Sequence, residues 1–259
     1  MRNLLSIYFF ILGTVFASFF GVIIERIPNN LSIIKPASRC DKCGYILNWH
    51  EKIPIISFIL LKGKCKNCLN KIEPFSFIYE IIGGIVLLLI YMKFGLSPES
   101  IFIMFINLLL LLIAGYDYKT QRILNISLWL LFDFSILLLI YRAYFLNYSV
   151  RIYFIDTIAV ASTSFVLKIL MDYIFNKESI GSGDLYLISI MALVFDINEL
   201  IYAILVASFL GVVFNIYKLS KNKMNKYIAF GPYLCFGFYM MFVFDGMIIK
   251  TLTIISKSL

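Results

Sequence analysis

The sequence predicts an all-α, polytopic membrane protein of about eight transmembrane helices, and three observations predict it. Of 259 residues, 61% are hydrophobic and 15% charged, where a soluble domain carries roughly 25% charged residues. The mean hydropathy is +0.92. Apolar segments recur from end to end, most of them near the roughly 17 to 25 residues that a bilayer requires.

The segments run Leu4–Ile24, Phe77–Phe94, Ile101–Tyr116, Ile126–Tyr144, Ile152–Phe175, Asp184–Phe195, Leu200–Tyr217 and Ile228–Ile249. The first looks like a signal peptide, but it is long enough to span. It has no clear small-residue cleavage pattern before Glu25-Arg26 and reads as a retained helix. The sixth is the shortest. The chain divides into the first transmembrane helix (1–27), a polar loop (28–76) and a transmembrane core (77–259).

Lys and Arg counts orient the segments. The stretch from Pro28 to Ser76 holds Lys35, Arg39, Lys42, Lys52, Lys62, Lys64, Lys66 and Lys71; Lys119, Arg122, Lys177, Lys218, Lys221, Lys223 and Lys226 fall on the same side. The other side holds only Arg2, Lys93, Arg142, Arg151, Lys250 and Lys257. The loop is therefore expected in the cytoplasm and both termini outside. This distribution explains the net charge of +8 through membrane orientation and lipid contact rather than a nucleic-acid groove, so no nucleic-acid partner is expected.

Gly181-Ser182-Gly183-Asp184 puts a carboxylate where an apolar run begins, and an ionised Asp is costly to bury there. Two glycines in three positions permit positive φ and close backbone approach. The bland reading is an Asp capping a helix start. A second acid, Asp117, stands at the edge of the third segment, and the orientation puts both at the cytoplasmic face, where they can meet. Asp133, Asp156, Asp172 and Asp245 are rival membrane-zone acids without a glycine loop.

The polar loop carries Cys40-Asp41-Lys42-Cys43 and Cys65-Lys66-Asn67-Cys68, separated by about 20 residues, close to the spacing of a four-thiolate zinc site. Cys40, Cys43, Cys65 and Cys68 would complete a tetrahedron with no open position, which implies a structural zinc. Disulfides are the alternative, which a reducing cytoplasm disfavours. His50 reads as a surface or packing histidine, and Cys235 as a small core residue.

Together these motifs resemble a type IV prepilin peptidase, the membrane aspartic protease of pilus, type II secretion and competence systems. Gly13 and Ala17-Ser18-Phe19 followed by Arg26-Ile27-Pro28 match the family's opening pattern, with Ala17 where glycine is usual. Ser38-Arg39-Cys40, Ile53-Pro54 and Gly63-Lys64-Cys65 follow its zinc-loop pattern. Glu80 and Gly84 stand where the family has its Glu and Gly, and Phe230-Gly231-Pro232-Tyr233 matches its Phe-Gly-Pro motif. Leu124 replaces a usual proline, and Tyr186 a frequent lysine.

The resemblance implies that Asp117 and Asp184 are the catalytic pair. Carboxylates brought together cannot both ionise easily, so the pair shares a proton and performs acid–base hydrolysis without a covalent intermediate. It also implies prepilin or pseudopilin substrates with a basic leader, cut at the cytoplasmic face of the inner membrane, and N-methylation of the new terminus from S-adenosylmethionine. No methyl-donor site is legible in the residues; Glu80 and Gly84 read equally as an interfacial acid and a helix-packing glycine. The alternatives are a presenilin-like intramembrane protease, or a non-enzymatic scaffold or transporter whose aspartates bind ions.

Overall fold

A computed structural model of the chain describes residues 2–176, 181–220 and 229–258, with side chains for 3–176, 181–216 and 229–244. Of the residues used for orientation, Lys177, Lys221, Lys223 and Lys226 lie outside the described residues, and Arg2, Lys218, Lys250 and Lys257, like Asp245, outside the described side chains.

The described chain is helical, as expected. It runs α1 (Arg2–Arg26), α2 (Ile56–Leu60), α3 (Phe75–Phe94), α4 (Pro98–Thr120), α5 (Asn125–Leu146), α6 (Val150–Phe175), α7 (Ser182–Met191), α8 (Ile197–Ser220) and α9 (Gly231–Ser258). Each of the eight expected segments falls on a helix, and α2 is the addition. Among the described residues, α1, α3, α4, α5, α6 and α8 are long and apolar enough to cross a membrane. The sixth segment differs from expectation. With ten residues, α7 is roughly 15 Å long, about half the hydrocarbon thickness, so it does not cross by itself.

The chain forms two compact units, Met1–Gly95 and Leu96–Leu259. In the first, α1 and α3 approach closely because small residues line the seam. A Cβ on Gly13 would fall on the Gly83 carbonyl, and Gly84 makes room for Phe10 and Thr14. Ala17 is completely buried, and Phe9 stacks on Tyr91 at 4.7 Å. Beyond α1, Arg26 Nη1 donates to the carbonyls of Ser32 at 2.9 Å and Ile33 at 3.2 Å, folding the chain back as it enters the loop.

In the second unit α4 is the central helix: 72% of its spanning window is buried, against 6% for α6. Its start is fixed by Pro98 in the first turn and a reciprocal cap, in which the Ser100 N–H donates to Ser97 Oγ at 3.1 Å and the Ser97 N–H to Ser100 Oγ at 3.0 Å. Such a cap satisfies two of the donors that a helix start leaves over. Phe105 of α4 stacks on Phe134 of α5 at 4.9 Å. On α9, Gly237 lies so close to α8 that a Cβ would strike the Ala203 carbonyl.

Arg142, in the last turns of α5, ties three elements together. Its Nε donates to Glu99 Oε1, in the first turn of α4, at 2.8 Å, and its Nη1 to the Val194 carbonyl, just past α7, at 2.8 Å. Both ionic side chains are largely covered, with 15% and 24% exposure. Arg142→Met would leave Glu99 and the Val194 carbonyl without this donor, a loss of about 1–3 kcal/mol. Thermal unfolding in detergent is expected to show a lower midpoint for Arg142→Met; an unchanged midpoint would rule the tie out as a stabilising contact.

Candidate active site and metal site

Asp117 occupies the last turn of α4 and is 5% exposed. The helix stops at Gln121, whose left-handed backbone (φ 55°) lets its N–H return to the Asp117 carbonyl at 2.8 Å. The connection that follows carries Ile123 onto the start of α7, where a Cβ on Gly183 would lie 3.0–3.1 Å from the Ile123 side chain. A residue with a side chain at 183 would push α7 away from the end of α4.

Asp184 is the third residue of α7, and its N–H donates to the Gly181 carbonyl at 3.2 Å. It is therefore not the capping residue; Gly181 holds that position with an extended backbone (φ −63°, ψ 132°). Neither Gly181 nor Gly183 has positive φ. Of the two properties expected of the glycines, close approach is the one used: a Cβ on Gly181 would lie 3.3 Å from Asp184 Oδ2.

Asp184 and Asp117 lie within electrostatic reach of each other. The third contribution comes from Gly231, the first residue of α9, whose backbone N–H donates to the Asp117 carboxylate. A Cβ on Gly231 would stand 2.6 Å from Asp117 Oδ2, so this contact requires glycine. Phe230 packs over Gly211 of α8 and holds the entry to α9 in place. Cys235, one turn into α9, is 3% exposed and lies near both carboxylates. The motif reading placed Gly231 in a pattern but did not foresee its N–H; the available signal was a glycine at a helix start. Tyr118 and Tyr186, beside the two acids, are 60% and 62% exposed. Asp133 is exposed.

The four loop cysteines come together. All four Sγ atoms lie within 4.8 Å of one another, with Cys40–Cys68 at 3.8 Å and Cys43–Cys65 at 3.9 Å. A tetrahedral metal with metal–sulfur bonds of about 2.3 Å sets sulfur–sulfur edges of about 3.8 Å, so the cluster is one that could hold a metal ion. The electrostatics agree. Backbone N–H groups of Cys43 and Lys42 push the Cys40 thiol down to about 7, toward the ligating thiolate. Cys68, despite the Asn70 N–H, is pushed up to about 11 by burial and the neighbouring cysteines. Ionising all four thiols this close together would require a cation among them.

The two knuckles repeat one fold. The Cys40 N–H donates to the Tyr45 carbonyl at 2.9 Å and the Gly44 N–H to the Cys40 carbonyl at 2.9 Å; in the second knuckle Cys65 bonds Asn70 at 2.9 Å and Leu69 bonds Cys65 at 3.0 Å. Glu51, 7% exposed, braces the loop. The Asn48 N–H and then Lys66 hold its carboxyl below the usual carboxylate range. His50 is half-exposed, edge-on to Trp49 and 3.8 Å from Glu51, a packing histidine.

Two family models match the chain: the bacterial peptidase A24 N-terminal domain over residues 11–94, and the type IV leader peptidase family over residues 104–216. The chain belongs to the type IV leader peptidase family. Its relatives include proteins named prepilin leader peptidase/N-methyltransferase. That from Myxococcus xanthus is 30% identical over 220 residues, covering 83% of this chain and 64% of the relative. That from Vibrio cholerae is 24% identical over 240 residues, covering 90% and 94%, and that from Neisseria gonorrhoeae 25% over 251 residues, covering 86% and 84%. No solved structure matches. The two matched regions of this leader peptidase family member fall on either side of the division at Gly95.

One feature of the second knuckle departs from the first. Leu69 (φ 57°) occupies the left-handed position that Gly44 (φ 72°) fills in the first, and its side chain is 70% exposed. A non-glycine residue there costs about 1 kcal/mol. Leu69→Gly is expected to raise the loop's resistance to chelator-induced opening, read by hydrogen exchange of the Cys65–Asn70 amides. Faster exchange would contradict the strain.

Proposed function

We propose that the chain removes the basic leader of type IV prepilins or pseudopilins at the cytoplasmic face of the inner membrane and methylates the new N-terminus. Asp117 and Asp184 are its acid–base pair, and a structural zinc sits on Cys40, Cys43, Cys65 and Cys68. The observation that carries the peptidase reading is the convergence of two acids from α4 and α7, with the Gly231 N–H on one of them. The names of the relatives support both activities.

The chemistry follows from sharing one proton between two carboxylates. The ionised partner takes a proton from a water molecule as that water attacks the scissile carbonyl. The protonated partner polarises the carbonyl oxygen and gives up its proton to it. No side chain forms a covalent bond to the substrate. Gly231 orients Asp117 through its N–H and cannot be replaced by a larger residue.

Cys40, Cys43, Cys65 and Cys68 would hold a zinc ion that offsets part of their thiolate charge, joins the two knuckles and leaves no position open for water. S-adenosylmethionine would supply the methyl group. Glu80 and Gly84 have structural roles: Glu80 accepts the Ile55 N–H at 2.8 Å, and Gly84 makes room for Phe10 and Thr14. We therefore assign no residue to the methyl donor.

Leader removal, followed as a gel shift of a prepilin with the purified enzyme in detergent, tests the pair. Asp117→Asn and Asp184→Asn are each expected to lose at least about 100-fold in rate, because the amide keeps the shape but cannot exchange a proton. Gly231→Ala should fall in the same direction while the protein still inserts. Full processing by either Asn variant would refute the assignment.

A chelator is expected to act slowly, through opening of the loop, and not at the moment of mixing. The initial rate after addition should match that of untreated enzyme. Immediate loss would instead put a metal in the hydrolytic step.

A further inference from the structure

We infer that α2 is an interfacial foot that seats the cysteine loop on an anionic lipid surface. The inference stands apart from the peptidase reading, since it uses no residue of the aspartate pair.

The depth of α2 is set by two contacts with α3. The Phe58 ring stacks on Phe77 at 4.5 Å and 17°, and the Ile55 N–H donates to Glu80 Oε2 at 2.8 Å. Phe77 and Glu80 both lie in the first turns of a helix long and apolar enough to span, Phe75–Phe94. Gly63, at φ 66°, lets the chain turn directly against the Phe58 ring. The short helix is therefore held at the level where a membrane-crossing helix enters the bilayer.

Its other face is apolar and uncovered. Ile56, Ile59 and Leu60 are 54%, 60% and 75% exposed, and their spacing of three and four residues puts them on one side of the helix, away from Phe58. A bare aliphatic face at that depth fits the boundary between acyl chains and headgroups. Flanking charge selects the headgroup. Lys52 precedes α2, Lys62 and Lys64 follow it, and all three are exposed. The loop from Pro28 to Ser76 carries eight basic residues against three acidic ones. Lysine stems can lie along the apolar layer while their ammonium groups reach lipid phosphates.

The test uses the full-length protein with its two tryptophans removed, Trp49→Phe and Trp129→Phe, and a reporter introduced by Leu60→Trp. It is reconstituted into phosphatidylcholine vesicles with or without phosphatidylglycerol, using lipids brominated near the headgroup end of the acyl chain. With phosphatidylglycerol present, the reporter should be quenched by brominated lipid and shielded from aqueous acrylamide. Omitting phosphatidylglycerol, or combining Lys52→Gln, Lys62→Gln and Lys64→Gln, should lower the lipid quenching at least about twofold. Reporters quenched from water and not from lipid would overturn the foot. Lipid quenching indifferent to both changes would overturn the anionic assignment. Ile59→Trp gives the same reading should Leu60→Trp fail to fold, with bound metal as the check on the loop.

Discussion

A buried carboxylate at the end of a buried helix is the constraint on which the Leu96–Leu259 unit depends. Asp117 stands in the last turn of α4, where the helix amides offer an anion nothing, and water barely reaches it. The surrounding chain supplies what is missing. Gln121 ends the helix in a left-handed turn, Ile123 seats the next connection on Gly183, and Gly231 brings a backbone donor to the carboxylate from the start of α9. Asp184 meets it from the first turn of α7, the end of a helix where negative charge is favoured. Two acids in opposite helix-end environments are a natural pair to share a single proton.

Three glycines serve this arrangement through the space they leave. Gly181 leaves room for the Asp184 carboxylate, Gly183 for Ile123 and Gly231 for Asp117. The same device recurs away from the acids, at Gly13 against Gly83 and at Gly237 against Ala203. In a membrane, where apolar contact with lipid is nearly as good as contact with another helix, close backbone approach is a principal source of helix–helix stability.

Much of this was legible in the residues. The apolar segments each located a helix, seven of them long and α7 short, because a bilayer enforces continuous apolar runs, and the two Cys-x-x-Cys pairs located a cluster because thiolate spacing is local. Less local features were hidden. The shortness of the run Asp184 to Phe195 was the one sign that it does not cross by itself; that its helix stops at Met191 and continues as irregular turns was not legible. α2 escaped notice because five residues carry too little periodicity. The Gly231 donor and the Arg142 tie join positions far apart in sequence, and a pattern along the chain does not report such contacts. Positive φ at Gly181 and Gly183 was the reasonable expectation for a glycine pair, but the helix begins early enough that both adopt ordinary backbone.

The central claim is that one proton is held between Asp117 and Asp184. Infrared difference spectroscopy of the purified protein at neutral pH, comparing the parent with Asp117→Asn and Asp184→Asn, reads that proton directly in the carboxylic acid carbonyl region. The account predicts one protonated-carboxyl band in the parent that is shifted or lost in either variant, because each substitution removes the neighbour with which the buried proton is shared. A band unchanged in position and intensity by both substitutions, or no such band in the parent, would contradict it.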